Sequence, residues 1–528
     1  MPRTDVRRCR AARRLHLSNL LPPADQRIAT TPTVQPPRTR RAFTPAPNTP
    51  PFPPISRYLP DYVIVTHILR GVKCGCRSHN RGDTLIQELT RTMLQDLEHW
   101  NTKPGRKPLL LRGARQTGKT WIVNAFGASH FEHVARIDFM RDLDARALFD
   151  GNLTTDTLLR SIEIYTGVPV QPERTLVFLD EIQECPRALT ALKYFCEDAP
   201  DYHVIATGSY MGISRHENAS FPVGKVDMLT LYPLTFVEFL TNAGQPALAD
   251  LIASGDIASV PAAFSNRLAE LLKTYMMVGG MPAVVLAHLN GATAKETREH
   301  QQSILDAYDL DFSKHAPARL LERIRLVWRS LPAQLAKENR RFVYGVVRPG
   351  ARAREFEESL MWLHDYGIIT QVPCVTALRT PLSSYADPSV FKMFASDIGL
   401  LGALADLDPS VVLNGSAIFT EFKGALTEQL VCQQLVAQQF TPYYWANPQG
   451  HAEVDFAVER YGAIYPIEVK AAVNLRAKSL HVACDRFHLD HAFRMAMTDY
   501  RDEGWITNFP LWAATGLRAY LERRAYRN

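Results

Sequence analysis

From about residue 83 onward the chain alternates between two spacings of apolar residues. Residues 84–100, from Thr84-Leu-Ile-Gln-Glu-Leu89 to Met93-Leu-Gln-Asp-Leu97, repeat apolar positions at intervals of three and four, which predicts an amphipathic helix. Short, mostly apolar runs follow, at Leu109-Leu-Leu111, His133-Val-Ala-Arg-Ile137, Leu176-Val-Phe-Leu179 and Val204-Ile-Ala206, with helical patterns between them. A strand that is apolar on both faces must be covered on both faces. The pattern therefore predicts an α/β fold, a parallel sheet sandwiched between helices. Farther along, residues 351–366 bring Phe356, Leu360 and Leu363 to one helical face, Gly367 offers a C-terminal cap, and Ile368-Ile-Thr-Gln-Val372 reads as a strand. Residues 422–440 read as a helix in which Val431, Cys432 and Leu435 fall three, four and seven positions after Glu428. Glu428 thus heads an apolar stripe, where a carboxylate needs a cation partner. Glu453–Glu459 and Ala463–Lys470 read as a hairpin turning at Gly462. No internal repeat is visible.

Composition changes the picture mainly at the start of the chain. A length of 528 residues fits three to four domains, and 46% hydrophobic with 22% charged residues is ordinary for a soluble protein. No apolar run is long enough for a conventional transmembrane helix, so no membrane partner is expected. Eight cysteines without a dense framework argue against a secreted disulfide scaffold, and a cytoplasmic location is the expectation. Residues 1–60 hold 11 Arg and only two acids, a net +9. The remaining 49 basic and 52 acidic residues net −3, so bulk charge gives the folded part no support for nucleic-acid binding. The first 60 residues also contain 13 of the 35 prolines. Residues 1–82 accordingly read as a disordered Arg/Pro-rich extension. Arg7, Arg8, Arg10, Arg13 and Arg14 give it the look of an organellar transit peptide, beside the plainer reading of a flexible extension or translated sequence upstream of the true start. Cys74 and Cys76 with His79 make half of a metal site, with no second ligand pair nearby.

The strongest chemical signal is Gly113-Ala114-Arg115-Gln116-Thr117-Gly118-Lys119-Thr120, a full GxxxxGK[ST] loop between an apolar strand and a helical pattern. Its glycines let backbone N–H groups wrap phosphate oxygens at a helix N-terminus. ATP is the expected ligand, Lys119 the residue for its β- and γ-phosphates, and Thr120 a ligand of Mg²⁺. Leu176-Val-Phe-Leu179 then ends in Asp180 and Glu181. Carboxylates at the C-terminal end of such a strand face the same crevice, so Asp180 is expected to hold Mg²⁺ through water and Glu181 to polarise the attacking water. A third strand ends at Thr207-Gly-Ser209, and Thr207 is preferred over Ser209 as a sensor of the γ-phosphate. Lys225, in the turn Pro222-Val-Gly-Lys225, is a candidate for reaching a nucleotide held by a neighbouring subunit of a homo-oligomer.

Taken in order, GARQTGKT, LDEIQ, ATGS, PVGK, Leu231-Tyr-Pro-Leu-Thr-Phe-Val-Glu-Phe-Leu240 and Gly279-Gly-Met-Pro282 resemble a large bacterial and archaeal group of AAA-type ATPases. Those proteins carry a C-terminal domain of unknown function similar to PD-(D/E)xK nucleases. The resemblance runs from about residue 85 to the end. It implies an AAA-like ATPase domain over 83–240, a helical and winged-helix-like domain over 241–400, and a nuclease-like α/β domain over 401–528. It leaves the physiological role open. Arg348, Arg352 and Arg354 at the start of the 351–366 helix suit a winged helix entering a DNA groove, or else the solvated edge of a packing module.

Asp455, Glu468 and Lys470 fit the D…ExK pattern of these nucleases, with Glu428 as the helical acid, although Val454 stands where the pattern has proline. Glu468 and Lys470, two apart on a strand, project from one face. The three carboxylates would hold Mg²⁺ or Mn²⁺ while Lys470 orients a water for phosphodiester hydrolysis. The opposing reading is a catalytically dead fold whose acids Lys470 neutralises. Three functions follow in order: an ATPase coupling Mg-ATP to a nuclease-like domain, an ATP-gated metal-dependent DNA endonuclease of a defence system or mobile element, and a non-catalytic ATP-dependent scaffold.

Overall fold

A computed structural model describes residues 88–209, 222–337, 341–414, 420–447, 452–471 and 477–527. The Arg/Pro-rich extension lies outside them, and so do Cys74, Cys76 and His79. Among the described residues no helix is long and apolar enough to cross a membrane.

The first sheet is made by β1 (Leu109–Arg112), β2 (His133–Asp138), β3 (Thr175–Asp180), β4 (His203–Gly208) and β5 (Asp227–Thr230). Its order is β2-β3-β4-β1-β5, and every pairing is parallel. The continuous apolar runs have the expected cause: successive side chains feed two separate cores. Leu109, Leu111, Phe178 and Ile205 pack with Trp100, Ile122 and Phe126 on one face. Leu110, Val177, Leu179 and Val204 pack with Leu189, Leu192 and Phe195 on the other. At the sheet's edge β5 buries little, and its mixed residues carry no such run.

The helix expected over 84–100 begins only at Met93. The preceding backbone is taken by tertiary partners. Thr90 N donates to Asn242 Oδ1 at 2.7 Å, and Thr92 N donates to Glu238 Oε1 at 2.8 Å. Those bonds leave residues 90–92 unable to propagate a helical ladder.

The second sheet is mixed: β6 (Ile369–Val375), β7 (Ala386–Ala395), β8 (Tyr443–Ala446), β9 (Glu453–Arg460), β10 (Ala463–Lys470), β11 (Ala492–Ala496), β12 (Arg501–Asp502) and β13 (Ile506–Pro510). They run in the order β12-β13-β11-β10-β9-β8-β6-β7. The β9–β10 hairpin turns at Tyr461 and Gly462, both at positive φ. The helix Ala353–Asp365 is followed by Gly367 at φ 81° and then by β6. That strand lies inside the sheet, antiparallel to β7 and parallel to β8, and Arg348 at the head of the helix pairs with Glu355 at 2.9 Å.

Helix Thr420–Ala437 joins the parts through buried amides. Gln429 exchanges two hydrogen bonds with the Ala395 backbone, and Gln433 and Gln434 both donate to the Tyr275 hydroxyl. Tyr275 in turn donates to Leu234 O at 2.6 Å. Here the two segments Leu231–Leu240 and Gly279–Pro282 meet: Leu234 N donates to Gly280 O, and Gly280 N to Asp397 Oδ2 at 2.6 Å. A Cβ on Gly280 would stand 2.2 Å from Leu234 O, so only glycine allows this approach. Residues Thr84–Asn528 accordingly form one compact unit.

Candidate functional site

The order β1-β4-β3 dictates which residues can meet. The loop Gly113–Gly118 leaves the C-terminal end of β1, Asp180 ends β3, and β4 runs between them. Thr207, paired with Leu111 of β1, is thereby placed beside Asp180. The loop turns tightly: Gln116 and Gly118 have φ of 65° and 92°, and a Cβ on Gly113 would lie 2.4 Å from Leu231 O. Helix Lys119–His130 starts directly behind it, so the loop's N–H groups and the helix dipole point the same way.

Lys119 is buried, and its ammonium donates to the carbonyls of Gly113 (3.1 Å) and Ala114 (3.0 Å) of its own loop. Burial pulls its pKa below the ordinary lysine value, with Glu181 opposing. Thr120 Oγ1 donates to Asp180 Oδ2 at 3.0 Å and Oδ1 at 3.2 Å. Thr207 Oγ1 also donates to Asp180 Oδ1, and it accepts from Glu181 N at 3.3 Å. Asp180, only 2% exposed, thus gathers both hydroxyls. Glu181 holds φ 54°, a left-handed conformation uncommon for a residue with a Cβ and concentrated at functional sites; the Gln183 amide donates to its carboxylate. The hydroxyl and carboxylate donors around Asp180 fit a hard divalent cation, and the loop fits a polyphosphate.

Of the expected residues, Lys119, Thr120, Asp180, Glu181 and Thr207 converge. Lys225 does not join them. It lies near the opposite, N-terminal end of β1 and β5, with its ammonium 2.9 Å from Glu197 Oε1, and Lys107 donates to the neighbouring Gly224 O.

Two arginines beside the site, Arg136 and Arg91, escape the sequence reading, and a third, Arg115, is read there only as part of the loop. Arg136 on β2 donates to Asp180 Oδ2 at 2.7 Å and Asp138 Oδ2 at 3.0 Å. Its signal is a pair of charges two apart at the end of an otherwise apolar strand. Arg91 runs behind the loop, donating to Thr117 O (3.1 Å), Tyr232 O (2.6 Å) and Glu238 Oε1 (3.1 Å). Burial pushes the Glu238 carboxyl up, but Arg91 and the Thr235 and Thr92 amides outweigh it and leave it below the usual range. Arg115 reaches away from the loop to the helix Ala294–His315: Nη1 donates to Asp311 Oδ1 at 2.9 Å, and Nη2 lies 3.0 Å from His315 Nε2. Tyr308 OH donates to Arg115 O, and Tyr366 OH to the other Asp311 oxygen.

The C-terminal acids are arranged otherwise. Glu428 and Asp455 converge, together with Glu453, on Lys392 of β7, a lysine inside the apolar run Val390-Phe-Lys-Met-Phe394. Glu468 pairs with Lys470 at 2.7 Å; burial raises its pKa and Lys470 opposes the rise. Among the described residues no group of three His, Cys, Asp or Glu is arranged to hold a metal ion.

Comparison with known proteins gives three family matches: an AAA domain over residues 105–240, a domain of unknown function (DUF8612) over 269–411, and a second (DUF4143) over 423–512. Residues 105–240 are therefore an AAA-type P-loop domain by both sequence and geometry. A search of curated proteins gives no match. Among solved structures, the Walker-type ATPase PABY2304 of Pyrococcus abyssi is 15% identical, with a TM-score of 0.38 over 60% of this chain and 96% of that one. Cdc6p of Pyrobaculum aerophilum is 14% identical, with a TM-score of 0.22 over 66% and 97%. The Orc1 protein of Aeropyrum pernix, solved in complex with DNA, is 13% identical, with a TM-score of 0.25 over 60% and 90%.

Proposed function

We propose that this chain is an ATPase that binds Mg-ATP on the Gly113–Thr120 loop and uses the nucleotide state to reposition the parts that follow. The observation that carries the reading is the convergence of the Thr120 and Thr207 hydroxyls on Asp180, with the Glu181 amide donating to Thr207, beside a loop lysine that among the described residues donates to carbonyls of its own loop. A lysine so held exchanges its carbonyl partners for phosphate oxygens without leaving an acid unpaired. The loop's N–H groups and Lys119 hold the β- and γ-phosphates, while Thr120 and Asp180 hold Mg²⁺. When bound, Mg²⁺ neutralises charge that builds on the phosphate oxygens. Glu181, next in sequence to Asp180 and just past the end of the strand, takes the proton of the attacking water. Thr207, hydrogen-bonded to Asp180 and to the Glu181 amide, reads the presence of the γ-phosphate.

Two variants test this in full-length protein. Glu181→Gln keeps shape and hydrogen bonds but accepts no proton. It should bind ATP with near-normal affinity while phosphate release falls on the order of 10²-fold or more. Turnover at the wild-type rate would remove Glu181 from the chemistry. Lys119→Ala should lose both turnover and affinity.

The coupling half of the reading rests on Arg115. It is the loop residue whose side chain leaves the site, and it grips Asp311 and His315 on one long helix.

A further inference from the structure

We infer that the ammonium of Lys392 takes the place of a divalent metal in the C-terminal acid cluster, so that this domain works as a metal-free packing or interaction module and not as a phosphodiester hydrolase. The nuclease-like pattern Asp455, Glu468, Lys470 with Glu428 asks for a cation among the acids. The structure already supplies one. Lys392 is completely buried, and its Nζ stands 2.6 Å from Glu453 Oε1, 3.5 Å from Glu428 Oε2 and 3.8 Å from Asp455 Oδ1. It reaches them across the ring of Tyr444, 4.9 Å from the centroid, so the ammonium is enclosed by acids on one side and a π-face on another. A metal binding these oxygens would sit about 2.0–2.6 Å from each, which is the volume the ammonium fills. Two cations in so small and dry a space would repel strongly.

The remaining candidate ligands are directed elsewhere. The second oxygen of Asp455 accepts the Val469 N–H at 2.8 Å, and Glu468 faces Lys470 at 2.7 Å. Asp455 and Glu468 thus serve different cations, although the nuclease pattern needs them to share one. Lys470, the residue expected to compensate the acids, serves only one of them in this arrangement. The strand Lys392 sits on is fixed as well: β7 pairs with β6 without a break from Phe391 to Ala395, and Gln429 clamps its last residue, Ala395, at both N–H and C=O. The backbone that carries Lys392 is therefore held beside the acids, unlike that of a lysine on a loop. This inference stands independently of the ATPase reading, since no residue of the nucleotide site takes part.

The test uses thermal melts of the full-length protein with and without MnCl₂, all in an Asp180→Asn background that removes the nucleotide site's own metal ligand. With Lys392 present, Mn²⁺ should give the same response whether or not Asp455→Asn is added. Lys392→Met should melt several degrees lower, and Mn²⁺ should then raise its melting temperature in a way that adding Asp455→Asn abolishes. Should Lys392→Met fail to fold, Lys392→Met/Glu428→Gln relieves the uncompensated charge and is read in the same way. A Mn²⁺ shift in the Lys392-containing protein that Asp455→Asn abolishes would overturn the inference, and so would a folded Lys392→Met protein indifferent to Mn²⁺. Plasmid nicking with Mn²⁺ by the otherwise wild-type chain, lost on Asp455→Asn, would overturn it as well.

Discussion

The two sheets each bring carboxylates and a lysine together in a buried place, yet they hold the lysine differently. In the nucleotide site Lys119 sits on a glycine-rich loop, and its partners are two carbonyls of that loop. In the C-terminal cluster Lys392 sits mid-strand, and its partners are three carboxylates on two other elements. Removing a lysine of the first kind leaves neutral carbonyls behind, whereas removing one of the second kind leaves buried charge. The first arrangement is therefore available for a ligand and the second is a structural clasp. Composition alone makes the two look alike.

The largest effects should come from exchanging the two lysines, one at a time, for uncharged residues. Lys119→Ala should cut ATP turnover on the order of 10³-fold, because the phosphates lose their nearest point charge. Its thermal stability should change by no more than about 1 kcal/mol, as only carbonyl hydrogen bonds are lost. Lys392→Met should do the reverse, costing about 3–5 kcal/mol of stability by stranding buried carboxylates. Turnover per folded molecule should hold. Measuring both quantities for both variants gives a crossed pattern. A strongly destabilised Lys119→Ala, or a Lys392→Met that melts like wild type, would break the contrast.

Much of the first region is legible in the sequence because its determinants are local. The loop, the strand before it and the helix after it are contiguous, and a strand covered on both faces announces itself as an unbroken apolar run. Asp180 and Thr207 follow from being strand ends. What stays hidden is set by partners far along the chain. Arg136 reads as a solvated strand residue until β2 is laid beside β3, in register Asp138 with Asp180. The helix at 84–100 is shortened by Glu238 and Asn242, some 150 positions away. In the second region the hairpin is legible, since Gly462 and alternating residues mark it. The need of Glu428 for a cation is legible too. The identity of that cation is not, because Lys392 lies 36 residues earlier, on a strand whose neighbours are fixed only by the assembled sheet. A lone lysine in an apolar run was its one trace.

The next effect separates the regions by pH. His203, at the start of β4 and far from the loop, is packed between Trp100 and Phe131, and burial, with Arg106 adding to it, lowers its pKa to about 4. A histidine with a depressed folded pKa stays neutral in the fold while the unfolded chain takes up a proton. Its contribution is complete above about pH 6.5 and is lost as pH falls toward 4. Allowing for its partial contact with solvent, the loss should be on the order of 2 kcal/mol. His203→Gln should start less stable, having lost the ring contacts, and should show a flatter decline between those pH values. An unchanged slope in chemical denaturation would remove His203 as its source. Since neither lysine cluster includes His203, nucleotide affinity per folded molecule should not follow this limb.

The smallest expected effect concerns the link between nucleotide and helix, and it is the most informative about coupling. Arg115 belongs to the phosphate loop by sequence and to the helix Ala294–His315 by its contacts. Asp311 receives it on one oxygen and Tyr366 on the other, and Tyr366 lies just ahead of β6, an interior strand of the second sheet. Asp311→Asn is nearly isosteric, but it leaves a single acceptor for the two donors Arg115 and Tyr366 and removes the charge that orients the guanidinium. Apparent ATP affinity should shift only about five- to tenfold, a coupling free energy of about 1–1.4 kcal/mol at the low end of the usual range. The telling measurement is hydrogen exchange along the helix with and without nucleotide. In the wild type, ATP should change protection around residues 308–315; in Asp311→Asn that change should shrink while protection of the loop itself persists. If both respond to ATP as in the wild type, the loop and the helix are coupled by some route other than Arg115, and the contact is ordinary packing. If the loop's protection is lost together with the helix's, Asp311 supports the loop's shape, and its role belongs to binding instead of to transmission.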